Sequence, residues 1–355
     1  MLCSKRLAPL VLGLGLAAIT SLAQAEVNLR YTEPSVNRGE RAEALNWFAD
    51  EVARRSKNDV KIKFFWGGTL ADANNSLKAI GDGAAEIGSI VGTYSPKEML
   101  PYVVGDLPIG SSDIWVGLRA MHELASTNPD IQKAFSDAGV VYLAPMTTTP
   151  VQVICKNKVL QKVEDFKGIK IRATGFYGQV MEDLGATVLR FSGVEAGRAM
   201  DAGTINCNMN YLYGMRTLRD YENAQDISRL DWGQFLAWAI VVNKGVWNKM
   251  TPADQSALKE SGNAFADKVA QAMHGANENA VKAMTAGIDG KVARVHAFPA
   301  AERVKLIAAG KKYEDDWKKK TAAAGYNPDK LIADFVALNA KYEKELQAKG
   351  YPWKR

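Results

Sequence analysis

The chain has 355 residues with a formal net charge of +6, 47% of them hydrophobic and 24% charged, a composition that excludes disorder, collagen-like repeats and a disulfide-dense mini-protein. That length corresponds to about two domains, each long enough to bury its own core. The positive balance raises nucleic acid or an anionic membrane as partners, a question decided by where the charges lie.

Residues 1–25 read as a secretory signal peptide. Lys5 and Arg6 form a basic n-region, Leu7 to Leu22 an apolar stretch, and Ala23-Gln24-Ala25 an A-x-A site with cleavage after Ala25. The apolar run falls short of the roughly 20 residues that span a bilayer, and no lipobox surrounds Cys3, so neither an anchor nor a lipoprotein is expected. Loss of Lys5 and Arg6 lowers the net charge from +6 to +4, and what remains is expected to be soluble and exported. Export also matters for Cys155 and Cys207, which enter a compartment where disulfides persist; they either pair or stand as two independent buried thiols.

From residue 26 to 150, β and α signals alternate. Val27 to Tyr31 reads as a strand. Asn37 with Glu40 reads as a capping box opening a helix whose apolar face carries Leu45, Phe48, Ala49 and Val52. Asp59 to Phe64 alternates with period two. Trp66-Gly67-Gly68-Thr69 turns into a helix through Ile80, Glu86 to Val91 is a strand, one helix covers Asp113 to Ala138, and Val140 to Ala144 returns to the sheet.

After Pro145 to Pro150 the rhythm restarts over 151–250. Strands are predicted at Val151 to Lys156, Ile169 to Ala173, Thr187 to Phe191, Thr204 to Met209 and Ala239 to Asn243, with helices at Tyr177 to Leu184 and Val194 to Asp201. The fold class is therefore α/β: two lobes, each a mostly parallel sheet with helices on its faces, separated by a cleft where small ligands bind. The lobes are expected to exchange strands. Residues 251–355 should complete both lobes, with a helix from Thr251-Pro252 through Met284, a returning strand from Val292 to Phe298, a helix from Ala300 to Ala323 and a last helix from Asn327-Pro328 through Lys349.

Lysines crowd this last third, interleaved with acids as on solvated helix faces. No phosphate loop or aromatic-interleaved basic stripe accompanies them, so nucleic acid is not expected as a partner. Enzymatic chemistry has little support. His122, His274 and His296 show no metal-ligand spacing and no nucleophile elbow is present, so neither metal nor cofactor is expected.

Asp165-Phe166-Lys167-Gly168-Ile169-Lys170-Ile171-Arg172, then Leu184-Gly185-Ala186, Glu195 and Ala202-Gly203-Thr204-Ile205-Asn206, form an ordered set that resembles the periplasmic solute-binding proteins of tripartite ATP-independent periplasmic (TRAP) transporters, DctP type. Trp66-Gly-Gly-Thr-Leu70 and Val242-Asn243-Lys244-Gly245-Val246-Trp247 extend the resemblance over essentially the whole chain after residue 25. It implies a periplasmic binding protein (Venus-flytrap) fold with a hinge. The implied function is that of a monomeric periplasmic receptor that binds a small organic acid and hands it to the small and large membrane permease subunits. The binding component of another uptake or sensing system, or an exported enzyme acting on an acidic substrate, is the alternative.

Arg172 ends its strand just before Thr174-Gly175 and a helix, where a guanidinium can fork a carboxylate and the helix N-terminus adds favourable partial charge. A solvated surface arginine would read the same way; the resemblance implies the carboxylate clamp. It also implies a ligand-side asparagine at Asn210, although Asn206-Cys207 stands where the family has Asp-Gly. Gln152 lies near a position where some relatives carry a second arginine, and its neutrality argues against a second anionic group on the ligand. Trp232 falls in a pocket-lining region, to stack on a ligand or to sit in the core. Glu33, Trp66, Val91, Tyr94 and Thr149 follow strand ends of the first lobe and are further candidates. One cation, one amide and several aromatics suggest a small monocarboxylate with an apolar or aromatic body.

Overall fold

A computed structural model describes residues 26–107 and 113–355; residues 1–25, read above as a signal peptide, lie outside the described residues. Eleven strands form two sheets among these residues. The first sheet contains β1 (Val27–Thr32), β2 (Val60–Phe65), β3 (Ile87–Val91) and β4 (Val140–Met146). The second contains β5 (Pro150–Cys155), β6 (Lys170–Arg172), β7 (Thr187–Leu189), β8 (Cys207–Asn210) and β9 (Asp226–Gln234). The next strand, β10 (Trp238–Asn243), returns to the first sheet, and β11 (Arg294–Ala297) joins the second. The orders are β2-β1-β3-β10-β4 and β11-β9-β5-β8-β6-β7.

Both sheets are mixed where mostly parallel ones were predicted. In the first, β1 pairs in parallel with β2 and β3 while β10 is antiparallel to β3 and β4. In the second, β6 is parallel to β7 and β8 while β5 is antiparallel to β8 and β9. The antiparallel strands are those by which the chain passes between sheets. It crosses from β4 to β5 and comes back from β9 to β10, with Met146 opposite Trp238 and Pro150 opposite Gln234. At the crossing, Thr148 N–H donates to Phe235 O and Phe235 N–H to Thr148 Oγ1. The buried Asp106 carboxylate accepts from Leu236 N–H at 2.9 Å and Ala237 N–H at 2.8 Å, fixing the returning segment to the first lobe.

The predicted strands are all present. Several predicted helices are shorter. The Asp113 to Ala138 helix is two, Ile114–Thr127 and Pro129–Asp137, because Asn128 leaves the helical conformation to cap the second one and Pro129 takes its first turn. The Thr251 to Met284 helix breaks at His274 and Gly275, the latter left-handed, into Pro252–Met273 and Ala276–Ala286. The helix expected through Ile80 is only Ser76–Gly81. Gly39, not Asn37, precedes the first helix, Glu40–Arg55, and no side chain caps it.

Leu29, Tyr31, Phe48, Val52, Ile87 and Ile240 belong to the core around the first sheet, and Val153, Ile171, Tyr177, Met181 and Trp232 to that on one face of the second. Cys155 and Cys207, opposite each other on β5 and β8, form a disulfide across a sequence separation of 52. No helix among the described residues is long and apolar enough to cross a membrane.

Candidate functional site

The two sheets turn the carboxyl ends of their parallel strands toward one cleft, where ligands of α/β sheets bind. Its cavity has a volume of about 100 Å³. From the first sheet come Glu33 just past β1 and Val91, Thr93 and Tyr94 at the end of β3; from the second come Arg172, ending β6, and Asn210 and Tyr211 at the end of β8. Phe235 and Trp238 form part of the wall beside the crossing.

Arg172 is 7% exposed. Its Nε donates to Phe191 O at 2.9 Å, one terminal nitrogen to Met209 O at 3.2 Å and the other to the Tyr94 hydroxyl at 2.8 Å. A guanidinium has five N–H groups, so these three bonds leave one on each terminal nitrogen for a ligand to take. Among the described residues no carboxylate lies within ion-pair distance of it; its charge acts on Asp220, a buried acid held by two amides. Asn210 Nδ2 and Asn208 Nδ2 both donate to Asp220 Oδ2, at 2.7 and 2.8 Å. Burial pushes the Asp220 carboxyl up to about 6, against the two amides and the Arg172 charge, which pull it down. Asn210 Oδ1 accepts from Tyr211 N–H, so both ends of this amide are fixed at the cavity wall. The Tyr94 contact also ties the second lobe to the first across the cleft.

Glu33 is completely buried, its Oε1 accepting from Ser35 N–H at 2.9 Å and its Oε2 from Ser89 Oγ at 2.5 Å. Nearby, Arg41 is 8% exposed with its guanidinium carbon 4.5 Å from the centre of the Trp238 ring. Burial works against the Arg41 charge, but Glu33 and the hydroxyls of Tyr211, Tyr213 and Tyr31 outweigh it and hold its pKa above the ordinary value. Arg38 stands at the exposed rim and donates from Nε to Thr217 O at 2.8 Å.

Of the residues predicted for the site, Arg172, Asn210, Glu33, Tyr94 and Val91 come together here. Four do not line this cavity. Trp232 is 2% exposed and packs edge-on against Tyr177 in the second core, ring centres 4.8 Å apart. Gln152 is fully buried and exchanges two hydrogen bonds with Asp231. Thr149, with φ of 68°, turns its hydroxyl to Asn277, leaving Thr148 to face the cavity. Trp66 stacks on Phe64 at 4.7 Å.

The expected single cation is also corrected: Arg172, Arg41 and Arg38 all line the cavity. Arg41 carried a signal, for it lies four residues before Leu45 on the apolar stripe that continues through Phe48 and Val52. An arginine on a buried stripe needs a reason. Tyr211, Tyr213, Phe235 and Trp238 had none, being aromatic residues in ordinary strand and turn contexts.

Among known proteins, the chain is 25% identical over 259 residues to a solute-binding protein of Albidiferax ferrireducens, covering 68% of this chain and 74% of that one. Its fold matches the crystal structure of a TRAP solute-binding protein from Rhodoferax ferrireducens in complex with copurified benzoate, with TM-score 0.80 and 19% identity over 90% of this chain and 99% of the other. It matches equally a marine metagenome TRAP solute-binding protein specific for aromatic acid ligands, in complex with metahydroxyphenylacetate, with TM-score 0.79 and 21% identity over 89% and 99% of the two chains. Residues 37–320 match the model of the DctP family, described as bacterial extracellular solute-binding protein, family 7. With Arg172 at a strand end facing an interlobe cleft and a family match over most of its length, the chain belongs to the DctP family of extracellular solute-binding proteins.

Proposed function

We propose that the protein is a periplasmic receptor that holds a small monocarboxylate with an aromatic or apolar body in its cleft and delivers it to the small and large membrane subunits of a TRAP transporter. The observation that carries this is Arg172: a buried guanidinium with no carboxylate partner among the described residues and one N–H left on each terminal nitrogen, beside a wall of Tyr94, Tyr211, Tyr213, Phe235 and Trp238. An acid closing that ion pair inside a cleft shielded from water gains more than it would in solvent, and the aromatic wall supplies apolar contact for its body. The aromatic acids bound by the two structural relatives agree with this reading. Export through residues 1–25, cleavage after Ala25, and action as a monomer without catalytic turnover are parts of the same proposal.

The test is a thermal-shift and calorimetric screen of organic acids on the purified protein cleaved after Ala25. Stabilisation by monocarboxylates, lost when the carboxylate is replaced by an uncharged amide, supports the reading. Stabilisation only by dicarboxylates or sugar acids, or chemical conversion of the bound acid, overturns it.

A further inference from the structure

Arg41 is the cation in the cleft without a hydrogen-bond acceptor among the described residues. Among the described residues its guanidinium makes no hydrogen bond and no ion pair, although it is 8% exposed; it lies over the face of Trp238 at 4.5 Å. A cation removed from water without acceptors costs several kcal/mol, and a ring face returns about 2 kcal/mol or somewhat more without satisfying any N–H. Five donors therefore stand unused at the cavity wall. Glu33 lines the same cavity without closing a salt bridge to Arg41. The two bonds it accepts, from Ser35 and Ser89, leave about two of its four lone-pair sites.

We propose that Arg41 and Glu33 form a second recognition point, specific for a hydroxyl group on the carboxylic acid held by Arg172. The proposal rests on that carboxylate reading and names the substrate class within it: a hydroxy-substituted, aromatic-bodied monocarboxylic acid. A hydroxyl is at once donor and acceptor, so it gives its proton to Glu33 and takes an N–H from Arg41, satisfying both. A second carboxylate satisfies Arg41 but sets two anions together at Glu33. An unsubstituted apolar body leaves Arg41 without an acceptor. Each end of the site then rejects a different analogue, and a site built to hydrogen-bond a hydroxyl discriminates strongly because its own buried groups go unpaired otherwise.

The test is calorimetric titration with benzoate, its ortho-, meta- and para-hydroxy derivatives, and the three benzenedicarboxylates. The expected result is that at least one hydroxybenzoate binds about tenfold or more tightly than benzoate, as a hydrogen bond to a charged group implies, and more tightly than any dicarboxylate. Arg41→Gln and Glu33→Gln should each bring the ratio of hydroxybenzoate to benzoate affinity toward unity, and Glu33→Gln should admit a dicarboxylate. Since Glu33 also holds Ser35 and Ser89, the ratio of two affinities in one variant is the readout, and it is insensitive to a uniform loss of stability. Equal affinity for benzoate and all three hydroxybenzoates in the unaltered protein, or a dicarboxylate as the tightest ligand, overturns the assignment of Arg41 and Glu33 while the carboxylate reading stands. Failure of every acid to bind defeats the carboxylate reading itself.

Discussion

Replacing Arg172 by alanine removes the clamp and leaves the fold. In a desolvated cleft, truncating one partner of a hydrogen-bonded charge pair costs about 2–5 kcal/mol, or about 30-fold to several thousand-fold in affinity. The upper half of that range applies here. The guanidinium is 7% exposed, among the described residues no carboxylate competes for it, and one N–H on each terminal nitrogen is unused. An acid with micromolar affinity should therefore weaken at least about 300-fold. The apo protein also pays, because Phe191 O and Met209 O lose a donor at about 1–3 kcal/mol for each carbonyl that water does not reach. Its Tm should fall by several degrees while unfolding stays cooperative. The assay is paired: differential scanning fluorimetry without ligand, and calorimetric titration with the best acid from the screen. Arg172→Lys, which keeps the charge and loses the fork, should fall between the two. An Arg172→Ala protein that binds the acid with unchanged affinity refutes the clamp.

Three further outcomes follow from particular contacts. Burial raises the Asp106 carboxyl to about 7, so the folded state holds its proton more tightly than the unfolded chain does; stability should decline as pH rises from about 4 to 7, within an upper bound of about 4 kcal/mol, and Asp106→Asn should flatten that decline in pH-dependent thermal melts, leaving the smaller part due to Asp220. Cys155→Ser with Cys207→Ser should lower stability by about 4 kcal/mol on loop entropy for a separation of 52 residues, read as a Tm drop that matches the effect of reductant on the unaltered protein. Trp232→Phe should lower Tm by a few degrees through lost packing on Tyr177 yet leave acid affinity within about twofold, since the indole faces the core; a large loss of affinity would return Trp232 to the cleft.

The parts of this molecule that obey one local rule were legible in its sequence. The period-two run before Phe65 became β2, and Asn327-Pro328 caps the last helix through Asn327 Oδ1 and Lys330 N–H. Arg172 was found by its place at a strand end together with the family pattern. The strand β9 was not found because its period is broken: Asp231 and Gly233 both have positive φ, and its pairing with β5 slips twice, so Ile227, Leu230 and Trp232 do not alternate evenly. Gln152, Thr149 and Trp66 were misplaced for a common reason. Being near a strand end fixes where a backbone goes, but which way the side chain turns depends on partners distant in sequence, Asp231, Asn277 and the Phe64 ring. Arg41 was passed over despite its place on the apolar stripe, since a charged residue in a helix's first turn usually faces water.

The place of β10 decides the order in which the molecule can be made. Between β3 and β4 the first sheet has a gap one strand wide, and the strand that fills it, Trp238–Asn243, follows the crossing back from the second sheet. A chain ending anywhere before Trp238 contains two facing sheet edges with unpaired backbone groups and no strand to join them. The first lobe therefore cannot close as an N-terminal folding unit; the segment that builds most of the second sheet must emerge before the first is whole. Such long-range pairing makes for slow folding, and it makes the two lobes, however separable in outline, a single cooperative unit that no cut between them would divide into stable halves.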